Sequence, residues 1–299
     1  MVKIKNTSSK WGGNWTEKKL DAFIKYVKAY LAIMNKCKKD YKWEIIYFDG
    51  FAGSGEGNKK DSNEINNNNS IFELLYDDNN CDEEVYQGSA ERILAMGESG
   101  FDYIYFIEKD NSSIEKLKAK LEPYNIENVQ FRQGDANEQI KNLAKAHIRN
   151  SKYASLVFLD PFGMEIKWES IEALKGARSD VWILVPTGVI INRLLDKRGE
   201  LKSIKKLESF FGLSEEEIKN YFYQTLQKRT LFGDEIVQEK IPNAIPKIAE
   251  LYIERLKTIW NHVTEKPLIL YNSNNVPIFH FVFASNNKNA TKIASQIIK

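Results

Sequence analysis

Apolar side chains recur along this chain with two periods, and the switching between them predicts its architecture. From Thr16 to about Asn35, the residues Leu20, Phe23, Ile24, Val27, Tyr30, Leu31 and Met34 fall on one helical face, with Thr16 placed to cap the start. Residues 44–49 then form a short apolar run that ends in Asp49 and passes into Gly50, Gly53 and Gly55. An unbroken apolar strand suits a parallel sheet buried on both faces. Tyr103–Glu108, Val129–Arg132, Ser155–Asp160 and Asp180–Pro186 read as further strands. Between them the period lengthens, which predicts helices over 111–122, 136–149 and about 168–176. This alternation specifies a mostly parallel α/β sheet with helices on both sides.

The later chain reads differently. No strand period is visible from Ile190 to His262, so a helical insertion over 190–262 is expected. Ile190, Leu194, Leu195, Leu201, Ile204 and Leu207 would mark one helix, broken near Gly199. Ser214 and Glu217 fit a capping box, and Pro246 suits the first turn of a helix reaching Trp260. Pro267–Tyr271 and Ile278–Ala284 flank a hairpin loop, which places one antiparallel strand in the sheet before a last helix over 288–298. Residues 57–86 are rich in Asn, Asp and Glu and suggest a flexible insertion. A helix follows near 87–94, where Ser89 could act as cap. Apart from the two insertions, 1–299 reads as one domain.

Composition narrows the class. The 299 residues are 42% hydrophobic and 28% charged, as in globular proteins. No apolar run approaches the roughly 18–20 residues of a membrane helix. The first residues, Met-Val-Lys-Ile-Lys-Asn-Thr, lack the apolar core of a signal peptide, so a cytoplasmic setting is expected. Cys37 and Cys81 have no CxxC or His companions, which points to reduced thiols and to neither disulfides nor a metal site. Net charge is only +2, but Arg193–Lys206 holds six basic residues against two acidic ones, and Lys36, Lys38, Lys39 and Lys42 surround Asp40. Such clusters are either solvated helix faces or phosphate contacts.

Candidate chemistry gathers at the strand ends. The glycines after Asp49 let the backbone turn tightly and approach a ligand closely. Asp49 could meet an ammonium or simply cap the loop. Glu108, 59 residues further on, could accept hydrogen bonds from both ribose hydroxyls, or pair with Lys109 at the surface. Gly134-Asp135-Ala136 could bond an adenine amine and leave room for the ring, or form a plain turn. Asp160-Pro161-Phe162-Gly163 follows strand four at the carboxyl edge, beside the topological switch point where open α/β sheets bind ligands. It could grip an amino group and stack a planar base, or be a structural turn. No Walker lysine, GxSxG elbow or hydride-transfer set is visible. Of three histidines, His280 falls in the last strand and suits the core better than a basic role.

The ordered set Asp-Gly-Phe-Ala-Gly-Ser-Gly, Phe-Ile-Glu-Lys-Asp, Gly-Asp-Ala and Leu-Asp-Pro-Phe-Gly resembles class I S-adenosylmethionine-dependent methyltransferases. More narrowly, the N-terminal Trp-Thr-Glu-Lys-Lys-Leu, Leu-Asp-Pro-Phe-Gly-Met and the closing Phe-Val-Phe-Ala-Ser-Asn resemble the three-Cys-motif partner (TcmP) family. The resemblance implies a Rossmann-like seven-stranded sheet with an antiparallel terminal strand, and S-adenosylmethionine as cofactor. It implies that Asp49, Gly50, Gly53, Ser54 and Gly55 hold the methionine end, Glu108 the ribose, and Asp135 with Ala136 the adenine. Asp160, Pro161 and Phe162 are similar to the Asp-Pro-Pro-Tyr/Phe site of enzymes that N-methylate a base in RNA or DNA. Here the second Pro is absent and the aromatic arrives one position early. The family also implies a three-Cys-motif, radical-SAM-like protein partner. A methyltransferase of nucleic acid, a cofactor-binding or inactive partner subunit, and a small-molecule or protein methyltransferase all stay open on sequence.

Overall fold

The computed structural model describes residues 13–55, 87–97, 100–125, 127–230 and 233–299. The predicted flexible insertion over 57–86 lies wholly outside them, as does Cys81.

Helix α1 (Gly13–Tyr41) leads into β1 (Glu44–Asp49), followed by α2 (Ser89–Leu94), β2 (Tyr103–Glu108), α3 (Asn111–Leu121) and β3 (Val129–Gln133). Then come α4 (Ala136–Arg149), β4 (Tyr153–Leu159), α5 (Trp168–Glu172) and β5 (Ser179–Val185). Strands β1 to β5 are all parallel, in the spatial order β3-β2-β1-β4-β5. The last strand, β10 (Pro277–Ser285), runs antiparallel beside β5. It pairs on its other side with two short strands, β8 (His262–Val263) and β9 (Leu268–Tyr271). This is a Rossmann-like, mostly parallel sheet with an antiparallel last strand, as expected. The count is eight strands rather than the seven expected, because the outermost strand is divided into β8 and β9.

The strand sequences show why two layers of helix are required. Within β1, Ile46 and Phe48 pack on one face while Ile45 and Tyr47 pack on the other, and β4, β5 and β10 repeat the alternation. One face is covered by α1 and the closing helix α9 (Lys288–Ile297), the other by α4 and the insertion. Side chains with zero exposure, such as Trp182 and Phe158, fill the space between sheet and α1. Phe23 of α1 stacks on Phe158 with ring centroids 4.2 Å apart.

The segment 190–262 is not purely helical. A π-helical turn, Thr187–Ile191, runs into a single turn, Asn192–Leu194, and the chain reverses at Gly199 with φ 76°. Helices α6 (Ile204–Phe211) and α7 (Glu215–Phe222) follow, and then a two-stranded ribbon, β6 (Tyr223–Thr230) with β7 (Gly233–Lys240), before α8 (Ala244–Leu256). The ribbon corrects the expectation of helix alone. Most of its described side chains face solvent, Ile236 being 76% exposed, so it has no apolar alternation to betray it. The capping box is present: Ser214 accepts from the Glu217 N–H and Glu217 reaches back to the Ser214 N–H. Two expected caps are not where sequence put them. Thr16 lies inside α1, which already runs from Gly13, and α2 is capped by Gly88, with the Ser89 hydroxyl engaged elsewhere.

Candidate active site

The carboxyl edge of the sheet is assembled by register. Asp49 pairs with Phe106 of β2 and Phe158 of β4, so three strands end side by side. The chain leaving β1 stays attached to both neighbours, with Gly50 N–H donating to the Phe158 carbonyl at 3.0 Å and Ala52 N–H to the Ile107 carbonyl at 2.9 Å. Gly50 is closely packed: a Cβ there would lie 2.7 Å from Leu159 Cδ2, and that methyl would have to move. Gly53 and Gly55 are required by conformation, with φ of 63° and 74°.

Glu108 is held at the mouth of this loop. Its Oε2 accepts from Gly53 N–H and its Oε1 from Asp110 N–H, both at 2.9 Å. A carboxylate offers about four acceptor positions, so two stay open toward a ligand. Asp135 caps α4 by accepting from Asn137 N–H at 2.8 Å. Partial burial opposes its charge, but the bonds from Asn137 prevail and hold its carboxyl below the ordinary value. Asn137 clamps the loop after β4, donating to the Glu165 carbonyl at 2.9 Å and accepting from Lys167 N–H at 2.8 Å.

Between these ends lies a cleft of about 790 Å³, within the usual range for small-molecule sites. Gly50, Phe51, Glu108, Asp135 and Ala136 form one wall, and Phe162, Met164 and Glu165 another. Lys109, Lys167, Lys205, Lys206 and Ser209 stand around the mouth, the last three from α6. Phe162 is 50% exposed. Glu165 is pushed up, first by desolvation and then by the negative charge of Glu108, with Lys109 opposing.

The remaining predicted residues stand behind this wall. Asp49 is wholly buried and accepts from the Ser89 hydroxyl at 2.7 Å, Phe51 N–H at 3.1 Å and the Tyr47 hydroxyl at 3.4 Å. Burial raises its carboxyl to about 7, with those bonds opposing and Asp160 adding repulsion. Gly53, Ser54 and Gly55 form the loop itself, braced by Lys120, which donates to the Gly55 carbonyl at 2.5 Å. Pro161 is buried. Asp160 turns toward α1, where the buried Lys19 donates to its Oδ2 at 2.5 Å. Sequence thus brought Gly50, Glu108, Asp135, Ala136 and Phe162 to one cleft, but Asp160 does not line it.

Lys19, Asn137 and Glu165 escaped the sequence reading. Lys19 alone carried a usable signal: it shares the helical face of Phe23, Tyr26 and Tyr30, where an ammonium is out of place. The two basic clusters separate. Lys205 and Lys206 reach the cleft, whereas Lys36–Lys42 lies at the opposite edge, because α1 runs back to the start of β1. Lys38 there pairs with Asp102 at the foot of β2. His280 is 4% exposed and bonded to Thr187 Oγ1 at 2.7 Å, with burial pulling it down to about 4. Among the described residues no group of three His, Cys, Asp or Glu is set to hold a metal ion, and no helix is long and apolar enough to cross a membrane.

No family model and no curated protein matches the chain. Solved structures do. A Legionella pneumophila protein assigned to the DUF519 family model is 16% identical over 93% of this chain and 98% of its own, with TM-score 0.42. Spermidine synthase from Thermotoga maritima is 10% identical over 84% of this chain and 56% of its own, with TM-score 0.36. TYW2 from M. jannaschii, solved in complex with AdoMet, is 12% identical over 70% of this chain and 76% of its own, with TM-score 0.26.

Proposed function

We propose that this chain is an S-adenosylmethionine-dependent methyltransferase that N-methylates a base in RNA or DNA, of the three-Cys-motif partner type. The observation that carries it is the wall on which Gly50, Glu108, Asp135 and Ala136 meet in one cleft beside a half-exposed aromatic. The cradle fits the cofactor. Gly50 lines the cleft without a side chain, the spare acceptor positions of Glu108 suit a ribose diol, and Asp135 beside the small Ala136 suits an adenine edge. The cofactor supplies an electrophilic methyl on a sulfonium sulfur. The chain then chiefly aligns the acceptor and excludes water.

Phe162 offers a stacking face to an extruded or single-stranded base, an interaction worth about 1–3 kcal/mol per base. Lys205 and Lys206 stand where the phosphates of such a strand would run. Asp160, two residues before Phe162 and with 23% of its side-chain surface open, would accept from the exocyclic amine at the edge of the cleft through Oδ1, while Oδ2 holds the bond from Lys19. Calorimetry with S-adenosylhomocysteine, followed by transfer of labelled methyl to RNA and DNA, tests the proposal. Asp160→Ala is expected to abolish transfer and leave cofactor affinity nearly intact. Equal loss of both would refute that division of roles.

A second reading is a partner subunit of a three-Cys-motif protein. The exposed β6–β7 ribbon, which packs little of itself against the domain, favours it. A stoichiometric complex on pull-down, with no transfer to bulk RNA or DNA, would establish this alternative.

A further inference from the structure

We propose that Lys19 is a positioning residue: it fixes the Asp160 carboxylate so that Oδ1 is the oxygen left without a protein partner for the methyl acceptor, which must therefore offer a hydrogen-bond donor. This deepens the functional reading above and rests on it.

The pair is unusual in its setting. Lys19 is 3% exposed, and among the described residues it is the one buried Lys or Arg. Burying an ammonium costs several kcal/mol, which its partner seldom repays in full. The placement is therefore poorly explained by stability alone. Its Nζ lies 2.5 Å from Asp160 Oδ2 and 5.4 Å from the centre of the Trp15 ring, which itself stacks on Phe279 at 5.1 Å. The helix, the indole and the last strand of the sheet together leave Lys19 little freedom, and Lys19 in turn restrains Asp160.

The consequence is chemical selection. Charge-assisted bonds are roughly twice as strong as neutral ones. The Asp160 carboxyl keeps 23% of its side-chain surface open, and its Oδ1 has no hydrogen-bond partner among the described residues. A carboxylate accepts and does not donate. A group carrying N–H or O–H is therefore matched here, whereas a carbonyl or ether oxygen, itself only an acceptor, is not.

The test is a double-mutant cycle with Lys19→Met, Lys19→Arg, Asp160→Asn and the Lys19→Met/Asp160→Asn double variant. Each protein is read by calorimetric affinity for S-adenosylhomocysteine and by labelled-methyl transfer to total RNA and total DNA. Lys19→Met is expected to lower transfer at least about tenfold while affinity changes less than about threefold, with most of the loss recovered in Lys19→Arg. In the Asp160→Asn background, Lys19→Met should cost nothing further, since it acts through a group already changed. Additive losses, an Arg variant no better than Met, or parallel loss of affinity and transfer would overturn the inference while leaving the methyltransferase intact. Binding of S-adenosylhomocysteine with no transfer by the wild-type protein would overturn both.

Discussion

Asp49 has no exposed surface at the end of β1, and burial moves its carboxyl from the ordinary 3.8 to about 7. Between those values the folded protein keeps a proton that the unfolded chain releases. The stabilisation is therefore fully present below the unfolded value and is lost as pH rises through about 7. Its ceiling is about 4 kcal/mol. Urea melts at about pH 5 and about pH 8 should show wild type weakening toward the higher pH, and Asp49→Asn should flatten that dependence. If the carboxylate meets the ammonium of the bound ligand, S-adenosylhomocysteine should also bind more tightly above pH 7 than below, but not in the Asn variant. Sequence placed Asp49 correctly at a strand end. It could not show that Ser89, a nominal helix cap 40 residues later, would be spent on it.

The central strands of the sheet were legible because they are apolar runs with helix on both faces, as in Tyr153–Leu159, where six of seven residues are buried. The β6–β7 ribbon was not legible, since an exposed ribbon needs no such pattern. Gly188 belongs to the same class of hidden constraint: a Cβ there would come within 2.0 Å of the Pro277 carbonyl oxygen, a clash set by a strand far along the chain. Local signals did survive where partners are local. Ser214 and Glu217 bond each other three residues apart, so Ser214→Ala should lower stability by about 1 kcal/mol in a thermal melt. Because α7 lines no part of the cleft, affinity for S-adenosylhomocysteine should be unchanged in that variant.

Across the whole molecule, charge is sorted by edge. Glu108 and Asp135 line the cleft half-buried, whereas Asp110, Glu165, Lys109, Lys167, Lys205 and Lys206 line it from exposed positions. That arrangement suits a cationic cofactor inside and a polyanion outside. Reversing Lys205 and Lys206 to Glu should weaken binding to a labelled single-stranded RNA. It should also reduce the salt slope by about one for each phosphate that is no longer neutralised. The same reversal at Lys36 and Lys39, on the far edge, should leave transfer unaffected, and anisotropy titrations at several salt concentrations with parallel transfer assays separate the two. Both clusters looked alike in sequence. Only the antiparallel return of α1 onto β1 assigns them to opposite ends.

Local pattern alone is enough to show which runs are buried on both faces, where glycines follow a strand, and which carboxylates stand at strand ends. These depend on period and on backbone freedom, both of which are local. The tertiary structure alone decided that Phe162 faces the cleft while Asp160 turns to Lys19, 141 residues away in the chain. Such a pairing is set by how a helix lies across a sheet, and the residues that form it carry no local trace of one another.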